Sequence, residues 1–156
     1  MRIRFSTLLI GLGFAAALFI AAGSAQATLG EREDSVASDE GTLSGKRVSA
    51  TVANSFRVKQ IDADSVSVRE YISPTGVVFA ITWRGLIHPD LIPLLGTYAK
   101  EYESALQRAA RRPGRRRLHV ETNRVVVEKW GQMRNLQGRA YIPALIPAGV
   151  TIDEIK

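Results

Sequence analysis

Three side chains of this sequence are candidates for general acid–base catalysis: His88, His119 and Glu70. An imidazole and a carboxylate at hydrogen-bond distance, or bridged by one water, can move a proton to and from a substrate. The sequence contains no Gly-x-Ser-x-Gly elbow, no His-Glu-x-x-His helix and no phosphate-binding glycine loop. It therefore assigns no catalytic residue, and an enzyme that pairs Glu70 with either histidine stays open as an alternative.

Metal and cofactor sites find little support in the same residues. Zinc sites ordinarily show clustered histidine and cysteine ligands. This chain has two isolated histidines and no cysteine, and Asp90 and Glu121 are the acids nearest to them. The sequence predicts no metal site and no cofactor. It also excludes disulfides, thiolate chemistry and a lipidated cysteine.

Glu70 is predicted to be a buried carboxylate. Strict alternation places it on the same face of a strand as Val68 and Ile72, which is the apolar face. A buried charge must be paired, and Arg84 and Arg139 are the proposed partners. We interpret Glu70 as half of a structural ion pair. The alternatives are a functional carboxylate and a strand bulge that turns the side chain outward.

An arginine-rich patch is the strongest surface feature of the sequence. Six arginines and no acid lie between residues 108 and 117: Arg108, Arg111, Arg112, Arg115, Arg116 and Arg117. Cations are favourable at the end of a helix, so a solvated helix end explains the run in structural terms. Its functional interpretation is a site for an anionic surface or an acidic protein partner. No aromatic residue is interleaved to stack on bases, so nucleic acid is not an expected partner.

The elements that position these residues follow from the periodicity. Period-two alternation predicts strands from Arg47, from Phe56 and over residues 65–84, the last forming a hairpin around Ser73-Pro74-Thr75-Gly76. Apolar residues at three- and four-residue spacing predict one amphipathic helix over about 90–112, with Asp90 as its N-cap. A second hairpin follows around Thr122-Asn123, and the segment from Gly138 is predicted to be a buried coil. The expected fold is α+β, with a largely antiparallel sheet built from hairpins.

The first 27 residues are predicted to be a cleaved signal peptide. Arg2 and Arg4 precede an apolar run from Leu8 to Ala22, and Ala25-Gln26-Ala27 is a small-x-small cleavage site. Cleavage after Ala27 leaves no transmembrane anchor, so we expect a periplasmic or secreted protein of a Gram-negative bacterium. Residues 28–46 form an acidic, weakly structured lead, and residues 47–156 form a single domain. Whether the lead covers the basic patch stays open.

Several ordered blocks of the sequence resemble a known family. They are the start Ala27-Thr28-Leu29-Gly30, the block Arg69–Ala80, Pro89-Asp90-Leu91, Leu95–Tyr98, and Gly138–Pro143 with Pro147–Val150. Together they resemble domain of unknown function 2844, a family of small exported bacterial proteins. The resemblance covers essentially the whole chain after residue 27. It implies an exported single domain and carries no activity or catalytic residue.

These observations favour a non-catalytic role in the cell envelope. The chain has 21 lysines and arginines against 15 acidic residues, a formal net charge of +6. This excess and its clustering favour a binding or assembly domain that uses the arginine-rich patch. The alternatives are a hydrolase-like or small-ligand-binding periplasmic protein, and a structural or secretion-accessory protein that docks a partner through an apolar patch on its Pro-containing tail.

Overall fold

A computed structural model describes residues 28–32, 46–53, 55–109 and 116–156. The predicted signal peptide and most of the acidic lead lie outside these residues. The strands are β1 Lys46–Ala53, β2 Phe56–Asp62, β3 Val66–Ile72, β4 Val78–Gly85, β5 Arg117–Glu121, β6 Val126–Gln132 and β7 Asn135–Tyr141. They form one antiparallel sheet in the order β1-β2-β3-β4-β7-β6-β5. The prediction of an α+β fold with a largely antiparallel sheet is confirmed.

The helical segment lies between β4 and β5 and consists of α1 Leu91–Leu95, a 3₁₀ turn Gly96–Tyr98 and α2 Ala99–Arg108. Asp90 is its N-cap, as predicted, and its carboxylate accepts a hydrogen bond of 3.0 Å from the Ile92 amide. The prediction that the helix continues to residue 112 is wrong, since Ala109 has an extended backbone. Ala105 is the last helical residue packed on the core. Beyond it there is little tertiary burial to stabilise another turn.

The two faces of the sheet have different coverings. The helix face carries Val68, Ile81 and Val127, and these pack with apolar side chains of α1 and α2 in the main core. Leu29 joins this core and is completely buried, so the described part of the lead packs on the domain. The opposite face, called the groove face below, carries Arg69, Thr82 and Glu128. Alternation along each strand separates the two sets.

The end of the chain covers only part of the groove face. Ile146, Val150 and Ile155 pack there against a second apolar cluster that contains Tyr71 and Phe79. The prediction of a buried coil from Gly138 onward is wrong for its first four residues, because they form the second half of β7. Gly138 is tolerated inside the strand because the Trp83 ring lies against it and leaves no room for a side chain.

Within the described residues, no helix combines the length and the hydropathy that a membrane crossing requires.

Candidate functional site

Two rows of polar side chains cross the uncovered part of the groove face. In each row, one residue from each of six strands lies directly opposite its neighbours in the ladder. The first row is Gln60, Arg69, Thr82, Arg139, Glu128 and His119, and the second is Asp62, Ser67, Arg84, Gln137, Trp130 and Arg117. An antiparallel sheet with one solvated face shows such a polar pattern.

These rows form the floor of a groove of about 880 Å³. One wall is the last turn of the chain, which contributes Asp153, Ile155 and Lys156. Two side chains of the sheet hold that wall. Arg139 Nη1 donates to the carbonyl oxygen of Ile152 at 2.9 Å, and the Tyr71 hydroxyl donates to the main-chain oxygen of Lys156 at 2.6 Å. The volume lies within the range of small-molecule sites, about 300–1,000 Å³.

The groove is positively charged overall. Three carboxylates line it, from Asp62, Glu128 and Asp153. Five basic residues of the groove face and its wall also line it: Arg69, Arg84, Arg117, Arg139 and Lys156. A cleft lined mainly by one sign of charge concentrates ligands of the opposite sign.

Arg84 is held in place without being neutralised. Its Nε donates to the amide oxygen of Asn135 at 3.0 Å, and Gln137 donates to the same oxygen at 3.1 Å. In the part of the chain that the structure describes, no carboxylate lies within 4 Å of the Arg84 or Arg117 guanidinium. The terminal nitrogens of Arg84 are therefore oriented and available for an anion, which arginine binds in a bidentate manner.

Arg69 is oriented in a similar way from the neighbouring strand. Its Nε donates to the amide oxygen of Gln60 at 2.9 Å, and its Nη1 donates to the main-chain oxygen of Lys156 at 3.1 Å. Gln60 is in turn oriented by Asp62, to whose carboxylate its amide donates at 3.0 Å. Side-chain amides thus set the direction of two guanidinium groups on adjacent strands.

Glu128 links the remaining polar groups of the first row. It accepts a hydrogen bond from Arg139 Nε, and its other oxygen lies 3.1 Å from Nδ1 of His119. Burial disfavours its ionised form, but hydrogen bonds and charge from Arg139 and His119 outweigh this and lower the pKa of Glu128. Glu128 therefore stays ionised and compensates Arg139.

His119 has a second acidic neighbour, Glu121, at 3.4 Å from Nε2. Because Glu128 and Glu121 contact opposite ring nitrogens, the three side chains do not converge on a common point. Among the described residues, no group of three histidine, aspartate or glutamate side chains is placed to hold a metal ion.

Glu70 lies on the helix face and is completely buried. The structure does not bring it together with His119, which stands on the groove face. The predicted partners Arg84 and Arg139 are wrong for the same reason, because both line the groove. The residue directly across the ladder from Glu70 is Lys59, whose exposed fraction is 5%. Opposite charges at directly paired positions of one sheet face attract each other.

His88 has a structural contact that limits its chemistry. Its Nδ1 accepts a hydrogen bond of 2.9 Å from the indole nitrogen of Trp83. Burial, and then the positive charge of Lys129, lower the pKa of His88. The ring is therefore held as a neutral acceptor for Trp83.

The arginine-rich patch is only partly within the described residues. Arg111, Arg112 and Arg115 lie outside them, so the patch as a whole stays a prediction. Arg108 ends α2 and donates from Nε to the Ser104 carbonyl at 3.1 Å. Arg117, the last member, lies opposite Trp130 and lines the groove.

Sequence reasoning missed most of the groove. The sequence pattern that marks the groove was nevertheless present. Polar residues occupy every second position, such as Ser67 and Arg69 in β3 and Gln137 and Arg139 in β7. Alternation assigns such residues to a solvated face. It does not show that the polar positions of six strands align into rows.

Comparison with known proteins gives a family assignment. The family described as "Protein of unknown function (DUF2844)" matches residues 25–155. No curated protein and no solved structure matches the chain. The matched range includes every residue of the groove except Lys156.

Proposed function

The chain belongs to the DUF2844 family of unknown function, and on that premise we propose that it is a non-catalytic binding domain of the bacterial cell envelope. It holds an anionic ligand or the anionic group of a partner in the groove. The observation that carries this proposal is Arg84, whose guanidinium is oriented by the Asn135 amide and has no described carboxylate within 4 Å.

Charge and orientation together favour binding of an anion. A guanidinium that is oriented before the ligand arrives loses less freedom on binding than a mobile one. Arg84 has this property, and Arg69 on the neighbouring strand is oriented by Gln60. Arg117 adds a charge at the far side of the sheet. The anion binding predicted for the arginine-rich patch is thus assigned in part to the groove.

The catalytic alternative has less support. It requires Glu70 beside a histidine, but Glu70 and His119 stand on opposite faces of the sheet. His88 is occupied as an acceptor for Trp83. The groove contains a histidine between two carboxylates, and Glu128 is already bonded to Arg139. These contacts are those of an electrostatic network that fixes side chains.

The structural alternative predicted an exposed apolar patch on the Pro-containing tail. Instead, Ile146, Val150 and Ile155 pack against the second apolar cluster. The large apolar side chains that are most exposed among the described residues are Val52, Leu86, Ile87 and Met133. The tail adds only Leu145 and Ile152, which are 38% and 39% exposed.

The first test measures the salt concentration that elutes the protein from beads coated with inorganic polyphosphate. Arg84→Gln/Arg117→Gln removes two charges from the groove. Lys100→Gln/Arg124→Gln removes two charges from the helix side of the sheet, where Arg124 pairs with Glu101 at 2.8 Å, and is the matched control. Hydrogen bonds to charged groups contribute about 1.5–3 kcal/mol. We expect the groove variant to bind at least about tenfold more weakly, while the control resembles the wild type.

Equal losses in the two variants, or no binding by the wild type at low salt, would overturn the proposed groove. Co-sedimentation with washed envelope fractions tests the location. We expect binding at low salt that weakens as the Debye length falls to about 8 Å at physiological salt. N-terminal sequencing of the exported protein is expected to begin at Thr28, and an uncleaved cytoplasmic protein would contradict the envelope assignment.

A further inference from the structure

We propose that the ligand of the groove is an acidic oligosaccharide that lies across the strands, with its negative groups at Arg84 and Arg117 and a sugar ring on Trp130. This inference rests on the proposed function, because it names the chemical class of the anion. The second polar row supports it, because that row carries these three residues in the order of the sheet.

The row sets the length of the ligand. Arg84, Gln137, Trp130 and Arg117 occupy consecutive strands β4, β7, β6 and β5. Three strand spacings of about 4.8 Å separate the strands of the two arginines by roughly 14 Å. A single small anion does not contact both guanidinium groups over this distance. An elongated ligand with charges some distance apart does.

Trp130 supplies a flat apolar surface between the two charges. Its indole is half-buried, and the guanidinium of Arg139 lies 5.8 Å from the ring centroid, which helps to fix the ring. An aromatic ring that is apolar on its face and surrounded by polar groups matches a sugar ring. A sugar presents C–H groups on its face and hydroxyls at its edge.

The neighbouring polar groups fit hydroxyls better than they fit a simple polyanion. Gln137 and Gln60 can both donate and accept hydrogen bonds, Ser67 and Thr82 do the same, and Asp62 accepts. A hydroxyl is likewise both donor and acceptor, whereas a phosphate or carboxylate accepts only.

A lipid headgroup fits less well. A bound lipid needs an apolar channel for its chains, but Ile155 is the only aliphatic side chain that the described lining residues present on this face, since Leu118 packs against the main core. The apolar part of this face lies under the last turn of the chain. An acidic glycan requires no such channel.

The test is calorimetric titration with oligosaccharides of galacturonate, mannuronate and glucuronate, each as monomer, dimer and tetramer. We expect at least one tetramer to bind ten or more times more tightly than its monomer. The methyl-esterified form of the same tetramer has no charge and is expected to lose the binding. Arg84→Gln/Arg117→Gln should weaken the tetramer at least tenfold, and Lys100→Gln/Arg124→Gln should leave it unchanged.

Trp130→Ala should also weaken the tetramer at least tenfold while leaving polyphosphate binding within about twofold, since its loss removes stacking and no charge. If Trp130→Ala does not fold, Trp130→Leu keeps an apolar side chain of intermediate size and removes the flat ring. Failure of all three tetramers, or a tetramer affinity equal to that of the monomer, overturns the glycan assignment.

Parallel titrations with inorganic phosphate and with phosphatidylglycerol vesicles distinguish a groove that binds anions in general from one that binds an acidic glycan. Binding of vesicles or phosphate that Arg84→Gln/Arg117→Gln weakens, without binding of any tetramer, leaves the anion-binding groove in place and overturns the glycan. No binding of any anion overturns both.

Discussion

Two neighbouring rows of the sheet, one on each face, differ by a single position in every strand. On the helix face, the row from Lys59 through Glu70 and Ile81 to Val120 is buried throughout, with exposed fractions of 5% or less. The adjacent row on the groove face runs from Gln60 to His119, and of its six members only Thr82 is buried. The same backbone therefore supports a sealed core and an open polar surface.

The difference separates the part of the sheet that stabilises the fold from the part that is available for binding. Burial of apolar area is the main favourable term in folding, and the helix face supplies most of it. The groove face is sealed only where the last turn covers Tyr71 and Phe79. Its polar rows add little buried apolar area, so their residue types reflect something other than stability.

Changing one residue on each face of β4 should show the largest difference between the faces. Ile81 is completely buried, and Ile81→Ala should lower the free energy of unfolding by about 2–5 kcal/mol, through lost burial and the cavity that remains. Arg84→Gln, three residues along the strand, should change it by no more than about 0.5 kcal/mol. Urea denaturation of both variants measures the difference. Similar losses would show that the groove face also stabilises the fold.

Gly138→Ala should have the next largest effect, because a change at this position affects both faces of the sheet. A Cβ there would meet the Trp83 ring from the helix face and approach the Glu128 carbonyl to 2.6 Å. Overpacking of this kind costs about 1–3 kcal/mol. It also shifts β7, which carries Gln137 and Arg139 into the groove. We expect thermal unfolding at a lower temperature together with weaker polyphosphate binding.

A double-mutant cycle tests the physical reason for that effect. In a Trp83→Phe background the smaller ring leaves room beside residue 138, so the added cost of Gly138→Ala should shrink. An unchanged cost in this background would attribute the effect to the strand backbone and to Glu128 instead of the ring.

Local patterns in the sequence were sufficient to predict strands, the start of the helical segment and the face of the sheet on which a side chain lies. Alternation placed Glu70 with Val68 and Ile72, and all three are buried in the structure. The Asp90 cap and the helical periodicity gave the start of the helical segment. Both features depend on residues that lie close together in the chain, where period and capping chemistry are informative.

Strand order was beyond such reasoning. β4 pairs with β7, more than 50 residues further along the chain, and no local pattern specifies that neighbour. Without the pairing, Arg139 can be placed beside Glu70, whereas the register sets it opposite Thr82 and Glu128 on the other face. The groove exists only through this non-local alignment. For that reason the sequence pointed to the contiguous arginines and missed the dispersed ones.

The smallest expected effect is on the pH dependence of stability, where the two histidines, one on each side of the sheet, should differ. The pKa of His88 is lowered from its usual 6.5, through burial and then the charge of Lys129. At pH values below 6.5 the unfolded chain therefore binds a proton more readily than the folded one. The contribution of His88 to stability is fully present above pH 6.5 and is lost as the pH falls toward the lowered pKa.

We expect the free energy of unfolding to decrease between pH 7.5 and pH 5, as measured by urea denaturation followed by tryptophan fluorescence. His88→Asn keeps an acceptor for the Trp83 indole but does not titrate, so it should flatten this dependence. His119→Asn, on the groove face, should keep it. A wild-type slope retained by His88→Asn would remove His88 as its source. A slope lost in His119→Asn would instead attribute the pH dependence to the Glu128 network, and the groove face would then contribute to stability after all.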